Sequence, residues 1–114
     1  TLTVDLQPLV GERHDVLVRA QGARRGYAVG LGAGGQLVIA KNAGGYRVVA
    51  STSFAWQHGT RYRLRIEAAG PALTVSVDDQ PLLTWTDGDA AYVTGRVGLA
   101  VEGGHCAYHK LQVA

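Results

Sequence analysis

The sequence predicts an all-β domain, two antiparallel sheets packed as a sandwich, on three observations. First, apolar and polar residues alternate in its clearest segments. Tyr62, Leu64 and Ile66 alternate with Arg61, Arg63, Arg65 and Glu67; Leu73, Val75 and Val77 with Thr74, Ser76 and Asp78; Val97, Leu99 and Val101 with Arg96, Gly98, Ala100 and Glu102. Side chains of a strand point alternately to its two faces, so each segment has one apolar and one wet side. Second, clusters of Gly, Pro and Asp punctuate the chain about every eight to twelve residues, the rhythm of a sandwich. Third, no stretch combines helical periodicity with caps.

The elements follow in order. Leu2, Val4 and Leu6 mark a strand over 1–7, and Val16-Leu17-Val18-Arg19 lies in a second over 13–21. Beyond Gly22 the segment Gly26-Tyr27-Ala28-Val29-Gly30-Leu31 predicts a third over 26–32. Gly34-Gly35 turns the chain into a fourth over 36–41, closed by Lys41 and Asn42. Gly44-Gly45 turns it again into a fifth over 46–51, headed by Tyr46. Trp56 precedes the Gly59 turn and a sixth strand over 61–68. Gly70-Pro71 leads to a seventh over 72–78, and Asp78-Asp79 to an eighth over 81–86. Asp87-Gly88-Asp89-Ala90-Ala91-Tyr92 is the longest late loop. The ninth and tenth strands, 96–102 and 106–113, flank Gly103-Gly104. Leu64, Ile66, Val75, Val77, Val97 and Leu99 are expected to share one core between the sheets.

A chain of 114 residues suits a single domain, 1–114, and can bury a core with no disulfide or metal. Net charge is only +2, and the nine arginines and two lysines are scattered, so no basic block predicts nucleic acid as a partner. No apolar run is long enough to cross a bilayer as a helix, and no membrane partner is expected. Cys106 is the only cysteine, which excludes an internal disulfide. The chain has no methionine and begins directly in a strand-like alternation, so it is expected to be excised from a larger multidomain protein. Nothing in it assigns a cellular compartment.

Four motifs carry a resemblance. They are Leu17-x-Arg19 with Gly26-Tyr27-x-Val29-x-Leu31; Trp56-x-x-Gly59-x-x-Tyr62-x-Leu64; Leu73-x-Val75-x-Val77-Asp78; and Gly95-x-Val97-Gly98-Leu99. Over roughly 13–113 the chain resembles the concanavalin A-like jelly rolls of the laminin-G-like kind. Such domains are attached to bacterial glycoside hydrolases and to ADP-ribosylglycohydrolase-like proteins. The resemblance implies a jelly-roll sandwich acting as a non-catalytic accessory module. Its partners would be a carbohydrate or ribosyl ligand and a covalently attached catalytic domain. The alternative it leaves open is a structural domain that packs on its parent enzyme and binds no small ligand. One departure stands out. The family's last strand reads F-D-x-V-x-V, and here Tyr108-His109-Lys110-Leu111-Gln112-Val113 puts His in place of the acid, so no role of that acid carries over.

The residues themselves argue against an enzyme. Glycoside hydrolysis uses two carboxylates facing each other across a cleft. The Glu-x-Asp-x-Glu motif of jelly-roll glucanases is absent, and the acids fall mainly at turns and strand ends. Cys106 has His105 as neighbour, but adjacent residues of a strand point to opposite faces, and the thiol reads as a small buried hydrophobe. His105 and His109 lie four apart on one strand, too far separated to begin a zinc site without other ligands. No cofactor is expected. Calcium at Asp87-x-Asp89 is the one metal weighed, against the simpler reading of an Asp-Gly turn.

Carbohydrate binding has the better physical rationale. Sugars are held by flat aromatic faces and by planar polar groups that bridge neighbouring hydroxyls. The expected ligand residues are Arg19 and Tyr27, with Lys41, Asn42 and Tyr46 around the next turn. Tyr27 could instead simply pack, and Arg19 could pair with Asp15 or Glu102. Trp85 and Trp56 read as core residues rather than sugar platforms, and the row Arg61, Arg63, Arg65 as a solvated sheet face.

Overall fold

The computed structural model describes residues 1–22, 25–89, 91–92, 94–102 and 105–113, with the backbone alone for 96–102 and 105. Ten strands account for most of them: β1 (Leu2–Val10), β2 (Arg13–Ala20), β3 (Arg25–Gly32), β4 (Gln36–Ala43), β5 (Tyr46–Ser53), β6 (Tyr62–Ala69), β7 (Ala72–Val77), β8 (Gln80–Thr86), β9 (Arg96–Glu102) and β10 (His105–Val113). All ten expected strands are present, and no helix occurs among the described residues. The strands form two five-stranded antiparallel sheets, ordered β10-β1-β6-β7-β8 and β5-β4-β3-β2-β9. The chain is thus an all-β jelly-roll sandwich, as the sequence predicts.

Strand parity decides what each sheet buries. From the first sheet Leu2, Val4 and Leu6, Tyr62, Leu64 and Ile66, and Leu73, Val75 and Val77 enter the core. From the second come Val16 and Val18, Tyr27, Val29 and Leu31, and Leu37 and Ile39. Leu64, Ile66, Val75 and Val77 therefore share one core as expected; the side chains of Val97 and Leu99 lie outside the described residues, as does the Gly103-Gly104 turn. Trp56 packs on this core and donates its indole N–H to the Gly32 carbonyl, 2.8 Å away.

Two local features depart from simple expectation. β1 runs on through Pro8 to Val10 although proline cannot donate to a ladder. The pairing with β6 stops at Leu6, before the proline, and the register with β10 shifts just after it, between Pro8 and Val10. Its carbonyl is used, accepting the Gly59 amide at 2.7 Å. Between β2 and β3 the backbones close in tightly: a Cβ on Gly30 would stand 2.0 Å from the His14 carbonyl oxygen, so only glycine fits there.

The β7–β8 hairpin turns on Asp78 and Asp79, with φ of 50° and 68°. Two left-handed residues in a two-residue turn match the right-handed twist of the flanking strands, and glycine is favoured at the second. Asp78 is compensated, since its Oδ1 accepts the Arg63 amide at 2.9 Å. Asp79→Gly is expected to stabilise the fold by about 0.5–1 kcal/mol by removing the Cβ penalty. Chemical denaturation measures it, and a loss of stability would show that the Asp79 side chain holds the turn.

Candidate functional site: the Asp87 loop

The register of β3 and β4 sets Tyr27 opposite Lys41. Both continue the inward-facing rows begun by Val29 and Ile39, so a cation is delivered to the core face of the sheet. A charge cannot be buried alone. Its partner comes from the other sheet, at the end of β8. Asp87 Oδ2 lies 2.7 Å from Lys41 Nζ and accepts the Tyr27 hydroxyl at 2.7 Å. Asp87 Oδ1 accepts the Asp89 amide at 3.0 Å, and the Asp87 amide donates to the Pro71 carbonyl at 2.9 Å.

Tyr92 closes the loop over this pair. Its amide donates to the Tyr27 hydroxyl oxygen at 2.9 Å, and its own hydroxyl donates to the Asn42 carbonyl at 3.0 Å. Its ring centroid stands 5.2 Å from Lys41 Nζ, in cation–π range. Lys41 also donates to the Asp89 carbonyl. Arg19, held at φ 50°, donates to the carbonyls of Gly70 and of Tyr92, the latter at 3.1 Å.

The electrostatics follow from this wiring. Burial pulls the Asp87 carboxyl upward, but the hydrogen bonds from Lys41 and Tyr27 outweigh it and hold the group below the usual carboxylate range. Burial, and then the Asp87 carboxylate it donates to, push the Tyr27 hydroxyl up to about 12. Asp87 is therefore a carboxylate and Tyr27 a neutral phenol at ordinary pH.

Four of the five expected ligand residues, Arg19, Tyr27, Lys41 and Asn42, converge on this one network. Three of them do not face solvent: Tyr27 is 1% exposed, Lys41 6% and Asn42 4%. Asn42 Oδ1 instead accepts the Gly45 amide at 2.9 Å and shapes the β4–β5 turn. Arg19 reaches main-chain carbonyls; Asp15 pairs with Arg13 at 3.3 Å, and the side chain of Glu102 lies outside the described residues. Tyr46 stands apart, 53% exposed at the head of β5.

The side chains at the surface above the network are different ones. A shallow depression of about 430 Å³ is lined by Arg47, Val48, Val49 and Trp85 to Asp89. Arg47, Thr86 and Asp89 are exposed; Trp85 is half-buried and meets Tyr27 edge to face with centroids 5.8 Å apart. Trp85 thus packs on the core, as its alternation suggests, and also fronts the depression. Arg47 escaped the sequence reading because only the β4–β5 register brings it opposite Lys41. The available signal was the Asp87-Gly88-Asp89 run one residue beyond Trp85.

Elsewhere the chemistry is sparse. A second, smaller depression of about 250 Å³ collects Asp5, Arg61, Arg63, Asp78 and Asp79 on the outer face of the first sheet. The Arg63 hydrogen bond, at 3.0 Å, holds the Asp5 carboxyl below its ordinary range, the wrong direction for a general acid. Burial pushes the half-buried Cys106 thiol upward, away from a reactive thiolate. Among the described residues no three His, Cys, Asp or Glu side chains gather as metal ligands.

No family model matches the sequence, and no curated protein does. Solved structures do match the fold. A carbohydrate binding module, CBM66 from Bacillus subtilis, superposes with a TM-score of 0.85 at 19% identity over 96% of this chain and 71% of that one. The galectin LEC-6 from Caenorhabditis elegans superposes with a TM-score of 0.72 at 15% identity over 98% of this chain and 81% of that one. The likeness to both is a likeness of fold: a two-sheet β-sandwich jelly roll shared at low sequence identity.

Proposed function

We propose that this chain is a non-catalytic carbohydrate-binding module, a concanavalin A-like accessory domain that serves a covalently attached enzyme. The observation that carries the proposal is the depression at the end of β8. Its lining includes Trp85, Arg47, Thr86 and Asp89, residues that carry an indole, a guanidinium, a hydroxyl and a carboxylate. An aromatic face suits the C–H face of a sugar ring, and planar charged groups suit adjacent hydroxyls. The fold likeness to a carbohydrate binding module and a galectin supports the same class of ligand. Arg19, Tyr27, Lys41 and Asn42 serve this site from behind, by fixing the loop and the turn that frame it, with Tyr46 exposed at the head of β5.

A shallow site of this kind binds weakly, near millimolar, about −4 kcal/mol. Titration with a panel of neutral polysaccharides and with ADP-ribose, followed by amide NMR, is expected to shift Arg47 and residues 85–89. Arg47→Ala and Trp85→Ala are each expected to weaken binding about five- to tenfold, the worth of one aromatic or charge-assisted contact. Ligands that shift no residue here, or variants that stay folded and bind as the parent does, would replace this reading with the structural one. That second reading has its own observation: Leu9, Val10, Leu111 and Val113 are exposed apolar side chains on the neighbouring strands β1 and β10.

A further inference from the structure

In sequence, Asp87-x-Asp89 and the carbonyls around it resemble the oxygen set of a calcium site. Calcium takes six to eight oxygens at about 2.3–2.6 Å. In the structure those oxygens already face a nitrogen. Lys41 Nζ lies 2.7 Å from Asp87 Oδ2 and donates to the Asp89 carbonyl. The remaining capacity of Asp87 is engaged as well, Oδ2 by the Tyr27 hydroxyl and Oδ1 by the Asp89 amide. A divalent ion would have to share an oxygen with an ammonium fixed beside it. Lys41 cannot withdraw, because β4 parity points it inward and it is 6% exposed. The residues do not fit calcium.

We propose that the Lys41 ammonium is the resident cation of the β8–β9 loop, standing where a divalent ion would otherwise stand, and that it sets the loop for ligand without metal. Three contacts spread along the loop make this a single fastening: the carboxylate of Asp87, the carbonyl of Asp89 and the ring of Tyr92. A lysine built into a strand does the ordering that a calcium ion does when it gathers loop oxygens. Order is then present in the free protein and needs no solute. The second half of the inference, concerning ligand, rests on the depression being the sugar site; the first half does not.

The test begins on the full chain without ligand. After treatment with a chelator, calcium chloride at about 10 mM, above the weakest extracellular calcium sites, is expected to leave the amide NMR signals of Asp87, Asp89 and Tyr92 unmoved. Lys41→Met is expected to raise hydrogen exchange at the Asp89 and Tyr92 amides roughly a hundredfold. Asp87→Asn, which keeps the shape of the side chain but removes its charge, is expected to speed the same two amides. A saturable calcium shift in the loop overturns the proposal, and so do Lys41→Met and Asp87→Asn chains that both exchange like the parent. With a sugar that binds, affinity is expected to be equal in chelator and in calcium; a metal requirement overturns the second half. If no sugar binds in either buffer, the proposed function falls and the exchange measurements still decide the role of Lys41.

Discussion

Asp87→Ala is expected to destabilise the fold by about 3–5 kcal/mol, because it leaves the Lys41 ammonium buried with no counter-charge. The side chains of the pair are 6% and 3% exposed, so water cannot take over the role of the carboxylate. The same substitution strips the Tyr27 hydroxyl of its acceptor and the Asp89 amide of its partner. Guanidinium denaturation of parent and variant measures the loss. A Lys41→Met, Asp87→Leu double variant is expected to recover much of it, since replacing both members of a buried pair by apolar side chains of similar size is often near neutral. A single-variant loss well below 1 kcal/mol would mean that the pair is hydrated. The pair also fixes an acid limb. The Asp87 carboxyl is held below its ordinary value in the folded chain, so its contribution is fully present above the unfolded value near 4 and is lost as pH falls through the lower folded value. Asp87→Ala is expected to flatten that part of the pH–stability curve.

Leu64→Ala is expected to cost about 2–5 kcal/mol, the range for truncating a buried leucine in a core that relaxes only in part. Leu64 is 1% exposed and sits centrally in its sheet, opposite Val4 on β1 and Val77 on β7. Its chain neighbour is the control. Arg65 points to the other face, half-exposed, with a 2.8 Å ion pair to an equally exposed Glu67. Arg65→Ala is expected to change stability by about 0.5 kcal/mol or less, as exposed pairs do. The contrast between adjacent residues tests strand parity directly. Equal losses at the two positions, or a loss well under 1 kcal/mol at Leu64, would mean that the face assignment is reversed.

What the sequence determined by itself was everything that depends on period and punctuation. Alternation with a period of two assigned Leu64, Ile66, Val75 and Val77 to the core, because a side chain's face is a local property of an extended backbone. Glycine-rich and Asp-containing turns delimited the strands for the same local reason, and the ends moved where pairing outran them, as at Pro8. The nearness of Arg19 and Tyr27 was legible through the hairpin motif that joins β2 and β3, with Lys41 and Asn42 at the end of the next strand. What only the tertiary structure decided was which way that group faces and what meets it. The parity that buries Ile39 also buries Lys41, yet a lysine at a strand end reads as solvated until a partner is seen. That partner, Asp87, follows the edge strand β8 of the other sheet, far along the chain, and no local pattern encodes a pairing across two layers. Arg47 and Trp85 come together over it for the same reason: one belongs to an edge strand of each sheet, and their proximity exists only once the two layers are stacked.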